Sequence, residues 1–314
     1  IIDFEESISI QEELELQVRT TAPLSNLGII YHNKGDFKKS KEYYDKVLEI
    51  NSAVDDKEGL GFIKYWIGKH YVSLFEHEKA IAYLTESYQL NDELGIERWK
   101  ASSLEDLIIL NDYLGNKILA EEYFSETYKI NTALVKNLYL NVGFKLMKQG
   151  NHDLSKRAFS EQLKIEKDSK NDKGIINTLT NIGLNYFYSG DYRNALESFN
   201  LAINHGGIEN LWHTIETLSF KHICEDILGL PVDDTFLKNY ISKKMNENET
   251  WYKNQPEYIN WALYEYSGEN KYIIEAKRQL DYILDKIKSD DVSLVSTYTM
   301  YKKILDAHKD IENS

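Results

Sequence analysis

An all-α solenoid of antiparallel helix pairs is the fold class this sequence predicts, on three observations. The first is a recurring segment. Leu24 to Tyr31 is followed by Gly35-Asp36-Phe37, Tyr139 to Gly143 by Gly150-Asn151, and Leu179 to Gly183 by Gly190-Asp191-Tyr192. In all three the inner glycine and the turn glycine stand 7 residues apart, as Gly28 and Gly35 do. The second is regularity: with two looser copies centred on Gly68 and Ile108, the positions 28, 68, 108, 143 and 183 step by 40, 40, 35 and 40. Fixed periods of this size mark repeat arrays. The third is composition: 42% hydrophobic and 28% charged residues support a packed core, and only 3 prolines and 16 glycines interrupt 314 residues. That balance favours long helices joined by short turns.

In chain order, residues 1–20 read as the end of a truncated repeat. Phe4-Glu5-Glu6-Ser7-Ile8-Ser9-Ile10 has the pattern of a second helix, Phe4 lying 40 positions before Tyr44, and its first helix would precede residue 1. A solenoid end needs a polar cap, and the chain opens on Ile1 rather than Met. The expectation is an excerpt of a longer protein, or a chain missing its natural start.

Residues 21–205 read as five helix pairs. In each, a small residue at the Gly28 position (Gly68, Gly143, Gly183; Ile108 in the third pair) lets the two helices approach closely. A Gly-Asp or Gly-Asn turn then takes the left-handed conformation and caps the second helix. That helix carries a small residue (Ser40, Ala80, Ala120, Ser155, Ala195) and, four residues later, a bulky one (Tyr44, Leu84, Phe124, Phe159, Phe199). The i, i+4 spacing puts both on one face. Residues added to the second helix and to the return loop, as in Glu49 to Glu58 and Leu90 to Arg98, account for the long step.

Residues 206–314 read as degenerate pairs and a capping helix. Asn210 to Leu228 is one helix, broken at Gly229-Leu230-Pro231; Asp233 or Asp234 caps another running to about Met245. A pair follows, Glu257 to Tyr266 and Ile273 to Ile287, with Ala276 and Leu280 keeping the small-then-large spacing. Val292 to His308 is the expected cap, with Leu294, Tyr298, Tyr301 and Leu305 inward.

The pattern of a small residue, an aromatic, Gly-Asp or Gly-Asn, a small residue and a bulky one resembles the tetratricopeptide repeat, clearly over residues 1–205. The step of about 40 is similar to the variant in kinesin light chains, Pins-type polarity adaptors, bacterial peptide-pheromone receptors and the helical blocks of bacterial sensor enzymes. The resemblance implies a right-handed superhelix whose concave face binds a peptide or protein segment. In that frame the position two before the glycine points into the groove, and here holds Asn26, Trp66, Asp106, Asn141 and Asn181. The preceding position holds Ser25, Tyr65, Glu105, Leu140 and Thr180, and the one after the glycine holds Ile29, Lys69, Ile109, Phe144 and Leu184.

From this set the expected peptide-binding residues are Asn26, Tyr65, Trp66, Lys69, Glu105, Asp106, Asn141, Phe144 and Asn181. An asparagine offers a donor and an acceptor to an extended backbone, so the resemblance implies that role for Asn26, Asn141 and Asn181. The lysine or arginine that relatives use to clamp a terminal carboxylate is replaced by Trp66, Asp106 and Asn141. Trp66, Tyr65 and Phe62 beside Glu105, Asp106 and Asp112 point to a ligand with an apolar anchor and a basic flank.

The formal net charge of −14 and pI near 5.1 disfavour nucleic acid and anionic membrane surfaces as partners. The single cysteine, Cys224, fits a reducing, cytoplasmic setting, and no apolar run is long enough to cross a bilayer. No phosphate-binding loop, dinucleotide fingerprint, nucleophile elbow or His-Glu-x-x-His frame occurs, and the eight histidines are scattered. The chain is therefore expected to be a non-enzymatic interaction scaffold for signalling, with no cofactor and no metal. The alternative is a regulatory or sensor segment of a larger cyclase, sensor kinase or caspase-like protease. Self-association into a homo-oligomer through the array ends stays open.

Overall fold

In the computed structural model, residues 4, 20–132, 135, 137–206, 214–284 and 299–312 are described. The regular elements among them are helices. The chain divides into two compact units, Ile1–Leu138 and Tyr139–Ser314.

Unit 1 holds α1 (Thr21–Asn33), α2 (Phe37–Ala53), α3 (Lys57–Ser73), α4 (His77–Glu93), α5 (Glu97–Tyr113) and α6 (Lys117–Glu126), the last followed by a 3-10 turn, Thr127–Lys129. The A helices α1, α3 and α5 neighbour one another, and each packs on its own B helix, α2, α4 or α6. Unit 2 takes in all but the first residue of α7 (Leu138–Gln149), then α8 (His152–Asp168), α9 (Asp172–Tyr188) and α10 (Tyr192–Gly206). It continues through α11 (Thr214–Ile227), α12 (Thr235–Glu247), α13 (Glu257–Ser267), α14 (Asn270–Leu284) and α15 (Thr299–Glu312).

The contact that defines each pair is the predicted one. A Cβ added at Gly68 would lie 2.7 Å from Leu84 Cγ, one at Gly143 2.7 Å from the Phe159 ring, and one at Gly183 2.5 Å from the Phe199 ring; at Gly28 it would strike Tyr44. The ten small and bulky B-helix residues are all at most 1% exposed. In the third pair Ile108 and Phe124 are both fully buried. There the interface accepts a branched side chain where the others take none.

The turns also follow the sequence. Gly35, Gly150 and Gly190 have φ of 77°, 83° and 84°. Asp36 then accepts from the Lys39 N–H (3.1 Å), Asn151 from Leu154 (3.1 Å) and Asp191 from Asn194 (3.2 Å). These are N-cap bonds to otherwise orphaned donors.

The long step lies in the second helices, as expected, but also in the first helices and not in the return loops. The helices α2, α3, α4 and α5 are each 17 residues long. Only residues 54–56, 74–76 and 94–96 connect them. The additional residues therefore lengthen both helices and leave the returns short. The 35-residue step arises because α6 stops after 10 residues and α7 spans only 12. A buried polar seam ties successive pairs of unit 1. Ser87 Oγ donates to the Gly61 carbonyl (2.7 Å) and accepts from Ser103 Oγ (3.0 Å), while Asn91 Nδ2 donates to the Ser87 carbonyl (2.7 Å).

In unit 2 the pattern persists through α10. Beyond it, one aromatic core forms from Phe187, Phe199, Phe220 and Trp261, with Phe187 and Phe220 4.9 Å apart and Phe220 and Trp261 5.9 Å apart. Ala276 and Leu280 of α14 are fully buried in it, and Gly268 (φ 69°) turns the chain between α13 and α14. The described part of α11 begins at Thr214, and α15 runs past His308 to Glu312, with Leu305 packed on the aromatic core. Of the expected N-terminal helix only Phe4 is described. Residues 5–10, Leu294 and Tyr298 lie outside the described residues, as does the side chain of Tyr301.

Candidate functional site

Helical periodicity lines up the residues of the A layer in unit 1. On α3, Phe62, Tyr65, Trp66 and Lys69 stand at i, i+3, i+4 and i+7, one stripe of a helix surface. On α5, Trp99, Glu105 and Asp106 face them. The Phe62 and Trp99 rings meet edge to face at 4.9 Å, Tyr65 and Trp99 lie 5.4 Å apart, and Tyr65 and Trp66 5.6 Å apart. All four rings are half-buried. The Trp66 Nε1–H is buried and meets no acceptor among the described residues.

Charge borders these rings. Lys69 Nζ lies 3.2 Å from Asp106 Oδ1. Burial, reinforced by Asp106 and then Glu105, pushes the Tyr65 hydroxyl well above its usual range, so it remains a neutral donor and acceptor. The structure thus brings together Tyr65, Trp66, Lys69, Glu105 and Asp106, with Asn26 exposed on α1. Sequence reasoning missed Trp99. Its signal was present: on α5 it precedes Ser102 and Asp106 by three and seven residues, the stripe spacing of α3.

Beside the rings, at the N-terminal ends of α1, α3 and α5, lies a cleft of about 430 Å³. Its lining includes Asn26, Asn51, Asp56, Glu58, Phe62 and Trp99.

The expected residues of unit 2 fall differently. Asn141 is exposed on α7. On the same helix Lys148 Nζ stands 4.8 Å from the centre of the Phe144 ring and 3.8 Å from Glu257 Oε1. Asn181, on α9, is only 9% exposed, and its amide donates to the Asn177 carbonyl of its own helix at 2.9 Å.

Other reactive groups are enclosed. Cys224 is fully buried and burial pushes its thiol up to about 12, which keeps it protonated. His32 and His70 sit 6.0 Å apart around Phe37, with Ser73 Oγ 3.3 Å from His32 Nε2. Burial, with His70 and Lys69, brings His32 down to about 4; burial lowers His70 too. Among the described residues no cluster of three or more His, Cys, Asp or Glu side chains has metal-binding geometry, and no helix is long and apolar enough to cross a membrane.

Two family models, both described as tetratricopeptide repeat, match residues 19–93 and 176–204. Among solved structures the chain is similar to BtubC (BKLC) from P. vanneervenii, at 19% identity and TM-score 0.53 over 68% of this chain and 91% of that one. It also matches a tetratricopeptide repeat protein from Parabacteroides merdae, at 13% identity and TM-score 0.49 over 90% of this chain and 99% of that one. The apo form of RapI matches at 14% identity and TM-score 0.48 over 94% and 99%. No curated protein matches the sequence.

Proposed function

We propose that this chain, a tetratricopeptide-repeat protein, is a protein-interaction scaffold that holds a segment of a partner polypeptide on the A-helix face of unit 1. The observation that carries the reading is the array of four half-buried rings, Phe62, Tyr65, Trp66 and Trp99, edged by Lys69, Glu105 and Asp106. Half-buried aromatics anchor apolar side chains at little conformational cost. The buried Trp66 N–H without an acceptor fits a site completed by a ligand carbonyl. Carboxylates at the edge favour a basic flank on the partner. Asn26 and, in unit 2, Asn141 are exposed; the Asn181 amide donates to the Asn177 carbonyl of its own helix.

Selection of displayed random peptides on the intact chain tests this. Retention is expected to fall at least tenfold, about 1.4 kcal/mol, in the Trp66→Ala variant, with the helical circular-dichroism signal unchanged. Asp106→Asn is expected to reduce retention chiefly of peptides carrying lysine or arginine. Equal retention by the parent chain and both variants would remove the binding face from the A layer of unit 1.

A further inference from the structure

The cleft of about 430 Å³ at the foot of α1, α3 and α5 has a consistent chemistry. Asn51, in the last turn of α2, is 2% exposed, lines the cleft, and its Oδ1 accepts no hydrogen bond among the described residues. A buried acceptor left open costs the fold the desolvation of that group. One repeat later, Asn91 lies against Gly61 and its amide nitrogen donates to Ser87, while its Oδ1 likewise accepts no hydrogen bond among the described residues. The Asn51 site instead opens onto the carboxylates of Asp56 and Glu58 and onto the Phe62 and Trp99 rings.

Asp56 caps α3 by accepting from the Gly59 N–H at 3.0 Å, which fixes its carboxylate at the wall. A Cβ at Gly59 would lie 2.5 Å from Asn51 Nδ2, so the glycine keeps that wall open for the amide. The chain's own Arg98 already stacks on Trp99, its guanidinium carbon 4.8 Å from the ring centre. Acceptors, carboxylates and ring faces call for a flat, cationic, multiply donating group. A guanidinium has that form.

We infer that this cleft receives an arginine side chain of the bound segment, its plane against Trp99 and Phe62 and its N–H groups donating to Asn51, Asp56 and Glu58. The inference rests on the partner-binding reading above and adds the chemistry of one residue of the partner.

The test uses the intact, 15N-labelled chain and two blocked tripeptides, acetyl-Ala-Arg-Ala-amide and its neutral counterpart with citrulline in place of arginine. Saturable shifts are expected at the Gly59 amide and the Trp99 indole N–H with the arginine peptide. Affinity is expected to be about fivefold lower for the citrulline peptide, and about fivefold lower for the arginine peptide in Glu58→Gln. Glu58 is exposed, so this variant leaves the fold intact. Equal responses to both peptides, or no response at Gly59 and Trp99 up to the solubility of the arginine peptide, would overturn the inference. Selected peptides that still depend on Trp66 would then leave the partner-binding reading standing; loss of that dependence with a retained arginine response would do the reverse.

Discussion

Unit 1 and the C-terminal part of unit 2 bury similar side chains by different means. From α1 to α4 one contact is repeated, a bulky B-helix residue seated on an A-helix glycine, and the polar seam at Ser87 joins α3, α4 and α5. From α11 to α15, Phe220, Trp261, Ala276, Leu280 and Ile304 share one core with Phe187 and Phe199. Repeated contacts make stability a sum of local terms, whereas a shared core makes each member matter to every helix around it. The difference teaches where a regular surface is obtained: the stripe of rings on α3 and α5 exists because successive A helices present the same face.

The largest expected effect breaks the shared core. Phe220→Ala should cost about 4 kcal/mol and speed amide exchange throughout α9, α11, α13 and α14, as read by hydrogen exchange with mass spectrometry. Leu84→Ala in unit 1 should cost about 3 kcal/mol, but with faster exchange concentrated in α3, α4 and α5. Spread of the Leu84 effect evenly over all helices of unit 1 would erase the contrast. Gly143→Val, which drives a side chain into the Phe159 ring, should cost about 2 kcal/mol in thermal unfolding by overpacking; a neutral result would show that α7 and α8 separate freely.

A smaller effect is pH-dependent. His32 is held at about 4 in the fold and titrates near 6.5 in an unfolded chain. The unfolded state therefore binds more protons between these values. The associated stability is complete above about pH 6.5 and is lost as pH falls toward about 4. The loss should be about 1 kcal/mol, discounted for the partial exposure of the ring. Melting curves of His32→Gln should have a flatter slope over that window. The smallest expected effect concerns the returns: exposed Lys170 has φ 52° where Gly95 serves one return of unit 1. Lys170→Gly should leave stability unchanged or raise it by about 0.5 kcal/mol in urea unfolding, since relief of left-handed strain opposes the entropy of glycine.

The helix pairs were legible in the sequence because they rest on local rules: a glycine where a ring presses, a turn glycine with its cap, and i, i+4 spacing. Helix length was less so. Val54-Asp55-Asp56 and Leu94-Gly95-Ile96 carry no proline, and Asp55 enters the left-handed region without being glycine; the boundary lies in backbone geometry that composition does not announce. The A-layer stripe was readable as far as Tyr65, Trp66, Lys69 and Asp106, which occupy repeat positions. Trp99 and Asn51 escaped because each acquires its setting from a neighbouring pair, Trp99 from Phe62 and Tyr65, Asn51 from the cleft beside α1 and α3. Asn181 occupies the same repeat position as Asn141, yet Asn177, four residues before it, takes its amide. A single sequence gives no weight to that competition.

The equal helices and three-residue returns of α2 to α5 also constrain how such a chain can change its length. Deleting one residue inside α4 would rotate everything after it by about 100°, so that Leu84 and Asn91 could not both keep their neighbours on α3. Gains and losses of whole blocks preserve every contact, while a single-residue change in a helix turns the faces after it away from the neighbours before it. Drift in length is therefore confined to places where the period has already lapsed, such as the segment between α6 and α7. An inserted loop, tag or domain would be best tolerated there.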